Sequence, residues 1–120
     1  MAVHLFAGLR VRDLAAAGVW YERLLGEPAF RPNASEIVWA LADGCSVYVA
    51  EDPGRAGHGL VTLFVDDLDA RLDAIATRGL EPAERETYAN GVRKATFRDP
   101  DGNEIGFGGA PAQAAGRQLR

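Results

Sequence analysis

At 120 residues, 48% hydrophobic and 25% charged, the chain has the length and composition of one globular domain able to bury a real core. A formal net charge of −4, with no Lys/Arg cluster to neutralise phosphates, argues against nucleic acid as a partner. No apolar run approaches the ~20 residues that span a bilayer, the first residues lack a secretory pattern, and Cys45 stands alone, so a cytoplasmic protein without disulfides is expected.

The chain opens with alternation. Leu5, Ala7, Leu9 and Val11 interleave with His4, Phe6, Gly8 and Arg10, which is the period of a strand. Asp13 offers its carboxylate as a helix N-cap; Leu14, Gly18, Tyr21 and Leu25 share a helical face; Gly26 supplies the stop. Strand-like segments follow at 29–31, 36–41 and 45–50, with Asp43-Gly44 as a hairpin-turn signal between the last two. The polar, breaker-rich stretch 51–57 reads as a connection.

The cycle then restarts. Val61, Leu63 and Val65 alternate with Leu60, Thr62 and Phe64, and Asp67 is expected to cap a helix bearing Leu68, Leu72 and Ile75 on one face. Gly79 ends that helix. Strands are expected at 83–87, 92–98 and 104–107, with Asp99-Pro100-Asp101-Gly102-Asn103 as the last turn. Residues 110–120, rich in Ala, Gln and Arg, show no strand period and are expected to be loose.

The two halves are a repeat. Val11-Arg12-Asp13-Leu14 returns 54 residues later as Val65-Asp66-Asp67-Leu68, Glu27-Pro28-Ala29 returns at the same offset as Glu81-Pro82-Ala83, and Asp43-Gly44 matches Asp101-Gly102 at an offset of 58. Each half therefore reads β-α-β-β-β. The expected fold is α+β: two tandem βαβββ modules, at 1–52 and 58–109, joined by a linker at 53–57 and followed by a tail at 110–120. Together they form one compact domain, a curved mixed sheet around a concave cavity with the helices outside.

The strand, the Val-x-Asp-Leu element and a helix ending Trp20-Tyr21-Glu22-Arg23-Leu24-Leu25-Gly26 strongly resemble the vicinal oxygen chelate superfamily, as does the Asp99–Asn103 turn. That group includes glyoxalase I, bleomycin-resistance proteins and extradiol dioxygenases, and the resemblance covers residues 4–109. It specifies fold more sharply than function, because this fold hosts several activities. In the metalloenzymes of the group, each half gives two ligands to one divalent ion. The resemblance puts those positions at Phe6, Tyr48, Leu60 and Gly106, of which only Tyr48 carries a side-chain oxygen. A divalent ion needs several N/O donors converging at roughly 2 Å, so the usual site is absent and no cofactor is expected.

His4 and His58 occupy equivalent positions, each two residues before a lost ligand position and on the same strand face. A divalent-metal site displaced by one pleat, ~7 Å, would use His4, His58 and Glu104, with Ser46 as a further donor. The plainer reading places both histidines at the exposed start of their strands.

Alternation leaves Phe6, Gly8, Ser46, Tyr48, Ala50, Leu60, Thr62, Phe64, Glu104, Gly106 and Gly108 on the concave face. Aromatic and aliphatic walls with small residues between them suit an organic guest. The expected ligand-binding residues are Phe6, Tyr48, Leu60, Thr62, Phe64, Glu104 and Gly106. Phe6 and Leu60 packing together to fill the cavity is the alternative. Trp39 and Phe97 align in the repeat and could stack on a flat ligand, though a core role is the default. Arg93 and Arg98 could receive an acid, with solvated edge positions as the plainer role. No nucleophile elbow, dinucleotide turn or phosphate loop is present.

The leading expectation is a glyoxalase/bleomycin-resistance-like protein, metal-free, that sequesters a small organic molecule. The alternative is a lyase, isomerase or dioxygenase-type enzyme of the same group, using either the displaced metal site or Tyr48 and Glu104 as an acid/base pair. A third class is an interaction module whose cavity is filled by its own side chains. The resemblance also implies a homodimer.

Overall fold

Asp13 sets the first helix. Its carboxylate accepts hydrogen bonds from the backbone N–H of Ala15 (2.9 Å) and Ala16 (3.3 Å), satisfying two donors that the helix cannot satisfy itself. In the computed structural model, which describes residues 2–111, the chain runs β1 (Leu5–Val11), α1 (Leu14–Leu25), β2 (Phe30–Asn33), β3 (Glu36–Ala42) and β4 (Cys45–Glu51). After a 3-10 turn at Pro53–Arg55 come β5 (Leu60–Phe64), α2 (Leu68–Thr77), β6 (Glu84–Thr87), β7 (Arg93–Arg98) and β8 (Glu104–Gly109). Of the loose tail expected at 110–120, residues 112–120 lie outside the described residues.

The repeat is realised strand by strand. One sheet has the order β1-β4-β3-β2 and the other β5-β8-β7-β6, so the two modules supply two four-stranded mixed sheets of identical topology. In each, the first strand pairs parallel with the last, and the remaining pairings are antiparallel. Register repeats as well: Phe6 lies opposite Ser46 as Leu60 lies opposite Glu104, and Gly8 opposite Tyr48 as Thr62 opposite Gly106.

The core lies between sheets and helices. On the first module it takes Leu9, Val11, Ile37, Trp39, Val47 and Val49 from the sheet, with Ala17, Tyr21 and Leu24 from α1. The buried α1 face ends at Leu24, with Leu25 half-buried, one residue earlier than the spacing suggested. Tyr21 packs edge-on against Trp20 at 4.8 Å and tilts against Trp39 at 5.8 Å, while the Trp39 indole donates to the Gly26 carbonyl at 2.9 Å. Burying such side chains stabilises the fold by about 1.5–3 kcal/mol each.

Asp67 does not cap α2, contrary to expectation. Its side chain makes no capping bond and instead accepts from Arg71 Nε at 3.3 Å, one turn along. α2 also buries fewer residues, Leu68 and Ile75, and Leu72 is only half-buried. The second helix therefore covers its sheet less completely than the first.

A polar latch joins the modules. The buried Asp99 carboxylate accepts from Tyr21 Oη (2.7 Å) and Asn103 Nδ2 (2.8 Å), and from the backbone N–H of Asp101 and Asn103 (2.9 Å each). Asn103 also donates to the Arg10 carbonyl at 2.8 Å and accepts from Gly59 N–H at 2.7 Å. Arg78 of the second module donates to the Arg23 and Leu24 carbonyls at the end of α1, at 2.6 and 3.1 Å.

Candidate functional site

Strand parity decides which side chains face away from the helices. Leu9 and Val11 are buried beneath α1, so Phe6, Gly8 and Arg10 occupy the opposite, open face of β1. The register carries that face onto Ser46, Tyr48 and Ala50 of β4, then Val38 of β3 and Phe30 of β2. In the second module it comprises Leu60, Thr62 and Phe64 of β5, Glu104, Gly106 and Gly108 of β8, and Lys94, Thr96 and Arg98 of β7. The seven residues proposed from sequence as ligand contacts lie on these two open faces, Phe6 and Tyr48 on the first module's and Leu60, Thr62, Phe64, Glu104 and Gly106 on the second's. Trp39 and Phe97 do not: both are buried on the helix side, 1% exposed.

Large apolar side chains stand exposed among the polar ones. Phe6, Leu60 and Phe64 are 61%, 66% and 68% exposed, so Phe6 and Leu60 do not close a cavity by packing together. Two glycines let long side chains lie flat on the sheets. A Cβ at Gly8 would collide with the ring of Tyr48, which crosses that position. A Cβ at Gly106 would lie 2.7 Å from Lys94 Cε and 3.4 Å from Thr62 Oγ1. Any larger residue at either glycine would push these side chains off the floor.

The charged groups are mostly engaged. Glu104 accepts from Arg98 Nε at 3.2 Å, and Arg98 is also bonded to Glu84. Those carboxylates, Glu84 first, hold the exposed Arg98 guanidinium above the ordinary arginine range. A base or ligand role for Glu104 would require it to leave Arg98. Arg93 Nη1 donates to Asp69 at 2.8 Å, while its buried Nε has no partner.

The donor set does not fit a divalent ion. His4 and His58 are both exposed, and among the described residues no three His, Cys, Asp or Glu side chains converge, so His4, His58 and Glu104 are not brought together. Three of the four positions implied by resemblance, Phe6, Leu60 and Gly106, carry no donor atom. The space above Gly106 is taken by Lys94, whose ammonium would repel a cation.

One feature escaped the sequence. A cleft of about 680 Å³ opens between the helix-side faces of the two modules. Leu5, Leu41 and Cys45 line it from the first module, Leu63, Val65 and Phe107 from the second, with Asp66 and Arg71 beside them and Thr62 and Phe64 at the edge of β5. The available signal was the small apolar face of α2: Val61, Leu63 and Val65 remain half-buried, whereas Leu9 and Val11 are fully covered.

This arrangement, two βαβββ modules with open faces beside a common core, defines the architectural class. The chain matches the profile of the Glyoxalase/Bleomycin resistance protein/Dioxygenase superfamily over residues 2–107. It is 53% identical to a glyoxalase/bleomycin resistance protein from Catenulispora acidiphila DSM 44928, with a TM-score of 0.88 over 92% of this chain and 100% of that one. The chain therefore belongs to the glyoxalase/bleomycin resistance/dioxygenase superfamily.

More distant structures share the fold. A bleomycin-binding protein complexed with bleomycin is 23% identical, with a TM-score of 0.72 over 90% of this chain and 98% of that one. TnmS3, an antibiotic binding protein from Streptomyces sp. CB03234, is 24% identical, with a TM-score of 0.70 over 92% and 97%. A comparison with curated proteins gives no match. No helix among the described residues is long and apolar enough to cross a membrane.

Proposed function

We propose that this protein binds a small, partly aromatic or apolar organic molecule on an open face and sequesters it without making or breaking a bond. The observation that carries the reading is the exposure of Phe6 beside the Gly8 floor in the first module, and of Leu60 and Phe64 beside the Gly106 floor in the second. Apolar side chains of this size gain most when a guest takes their surface from water. Two structural neighbours described as binding bleomycin and an antibiotic support the reading at the level of fold. The donor chemistry favours a guest held without a divalent ion, and a cytoplasmic setting is in keeping with the free Cys45.

The same exposed surface, extended by Phe30 on β2, favours a homodimer in which a second copy covers part of it. A stable monomer at micromolar concentration in sedimentation would contradict that part. Binding itself is tested by a thermal-shift screen of aromatic compounds, followed by titration of hits against Phe6→Ala and Tyr48→Ala. Each variant is expected to fold and to bind about tenfold more weakly, since an aromatic contact contributes about 1 kcal/mol or more. Unchanged affinity in both would remove the first module's open face as the site.

A further inference from the structure

We infer that Lys94 anchors an anionic group of the bound molecule, which makes the ligand class a small aromatic or apolar acid. The inference rests on the small-molecule reading above. Lys94 is the single lysine in the chain, the other twelve basic residues being arginines. It lies in β7 on the open face, opposite Gly108 of β8 and Glu86 of β6. Its alkyl chain crosses the floor toward Gly106, where a Cβ would stand 2.7 Å from Cε and 3.6 Å from Nζ. Thr62 Oγ1 borders the same spot at 3.4 Å. The residue is half-buried, its stem lying against the floor.

The other cations of the two open faces are already neutralised. Arg10 pairs with Asp52 at 3.4 Å, and Arg98 is held by Glu84 and Glu104. Lys94 makes no ion pair among the described residues, and its cross-strand neighbour Glu86 does not come within pairing distance. An ammonium carried on the floor without a carboxylate partner is a recognition point for an anion. Beside it, the ring of Phe64 packs over Gly108, 3.2 Å from where a Cβ there would stand. An acid with a flat apolar body can therefore place its anionic group between Lys94 Nζ and Thr62 Oγ1 and its rings against Phe64.

The test uses two probes with the same rings. 8-Anilinonaphthalene-1-sulfonate carries an anion; N-phenyl-1-naphthylamine lacks it. Both are titrated by fluorescence against the full chain, Lys94→Met and Lys94→Arg. Lys94→Met is expected to weaken the anionic probe by about tenfold or more, leave the neutral probe within about twofold, and be partly rescued by Lys94→Arg. Acetylating the wild-type chain, whose only side-chain amine is Lys94, should reproduce the loss without a substitution. If the wild type binds the neutral probe but Lys94→Met leaves anionic affinity unchanged, or weakens both probes equally, the anchor is wrong and the small-molecule reading stands. If the wild type binds neither probe, both fall.

Discussion

Tyr21→Phe isolates one of the bonds that join the two modules. The Tyr21 hydroxyl is the one donor to Asp99 that comes from the first module; the other three belong to Asp101 and Asn103 in the same turn. Phenylalanine keeps the ring that packs against Trp20 and Trp39, so no cavity opens. What is lost is a hydrogen bond to a buried charged acceptor, worth about 1.5–3 kcal/mol. For a domain of this size that corresponds to a fall in Tm of roughly 6–12 °C.

The pH dependence makes the test sharper. Burial, and then the negative charge of Asp99, push the Tyr21 phenol above its ordinary range. Above pH ~10 an unfolded tyrosine releases a proton that the folded protein keeps. The contribution is therefore fully present below pH ~10 and is lost as pH rises further, at up to about 1.4 kcal/mol per pH unit. Urea denaturation of both proteins between pH 7 and 11 should show a stability gap that is flat to about pH 10 and narrows beyond it. A gap under about 0.5 kcal/mol at pH 7, or one that persists unchanged to pH 11, would refute the latch.

Other substitutions probe separate parts of the structure. Asn103→Ala removes the amide that joins Gly59 N–H and the Arg10 carbonyl, and should cost about 2–4 kcal/mol in denaturant unfolding, more than Tyr21→Phe. Gly8→Ala places a methyl into the ring of Tyr48; a loss of about 1–3 kcal/mol together with weakened ligand binding is expected, whereas full affinity would show that Tyr48 does not need to lie flat. Protein purified without a histidine tag should hold substoichiometric metal by plasma mass spectrometry and gain none from added Ni, Zn, Mn or Fe. One tightly held ion per chain, lost on replacing His4 and His58, would instead establish a displaced site.

Much of the fold was legible because the repeat and the strand parity are local patterns. Alternation at Leu5–Val11 and Leu60–Phe64 assigns faces without knowledge of neighbours, and the offsets of 54 and 58 transfer the assignment from one module to the other. Local identity misled at Asp67. It fills the same slot as Asp13, but four residues on the first helix has Ala17 and the second has Arg71, which takes the carboxylate away from the cap.

Contacts between modules left little trace in the chain. Asn103 reads as a turn residue, and nothing local shows that its amide reaches Arg10, 93 positions away. The helix-side cleft depends on how far α2 spreads over its sheet, a property of packing. Lys94 sits among three basic residues between 93 and 98, and only the pairing of its neighbours with Asp69, Glu84 and Glu104 separates it from them.

A crystal structure with N-phenyl-1-naphthylamine would show where the guest sits. The naphthyl ring is expected on an open face, over the floor at Gly8 and Tyr48 in the first module or at Gly106 and Phe64 in the second. A ring found only in the helix-side cleft, between Leu5, Leu41 and Cys45 on one side and Leu63, Val65 and Phe107 on the other, would contradict that placement and move the binding site to the opposite side of both sheets.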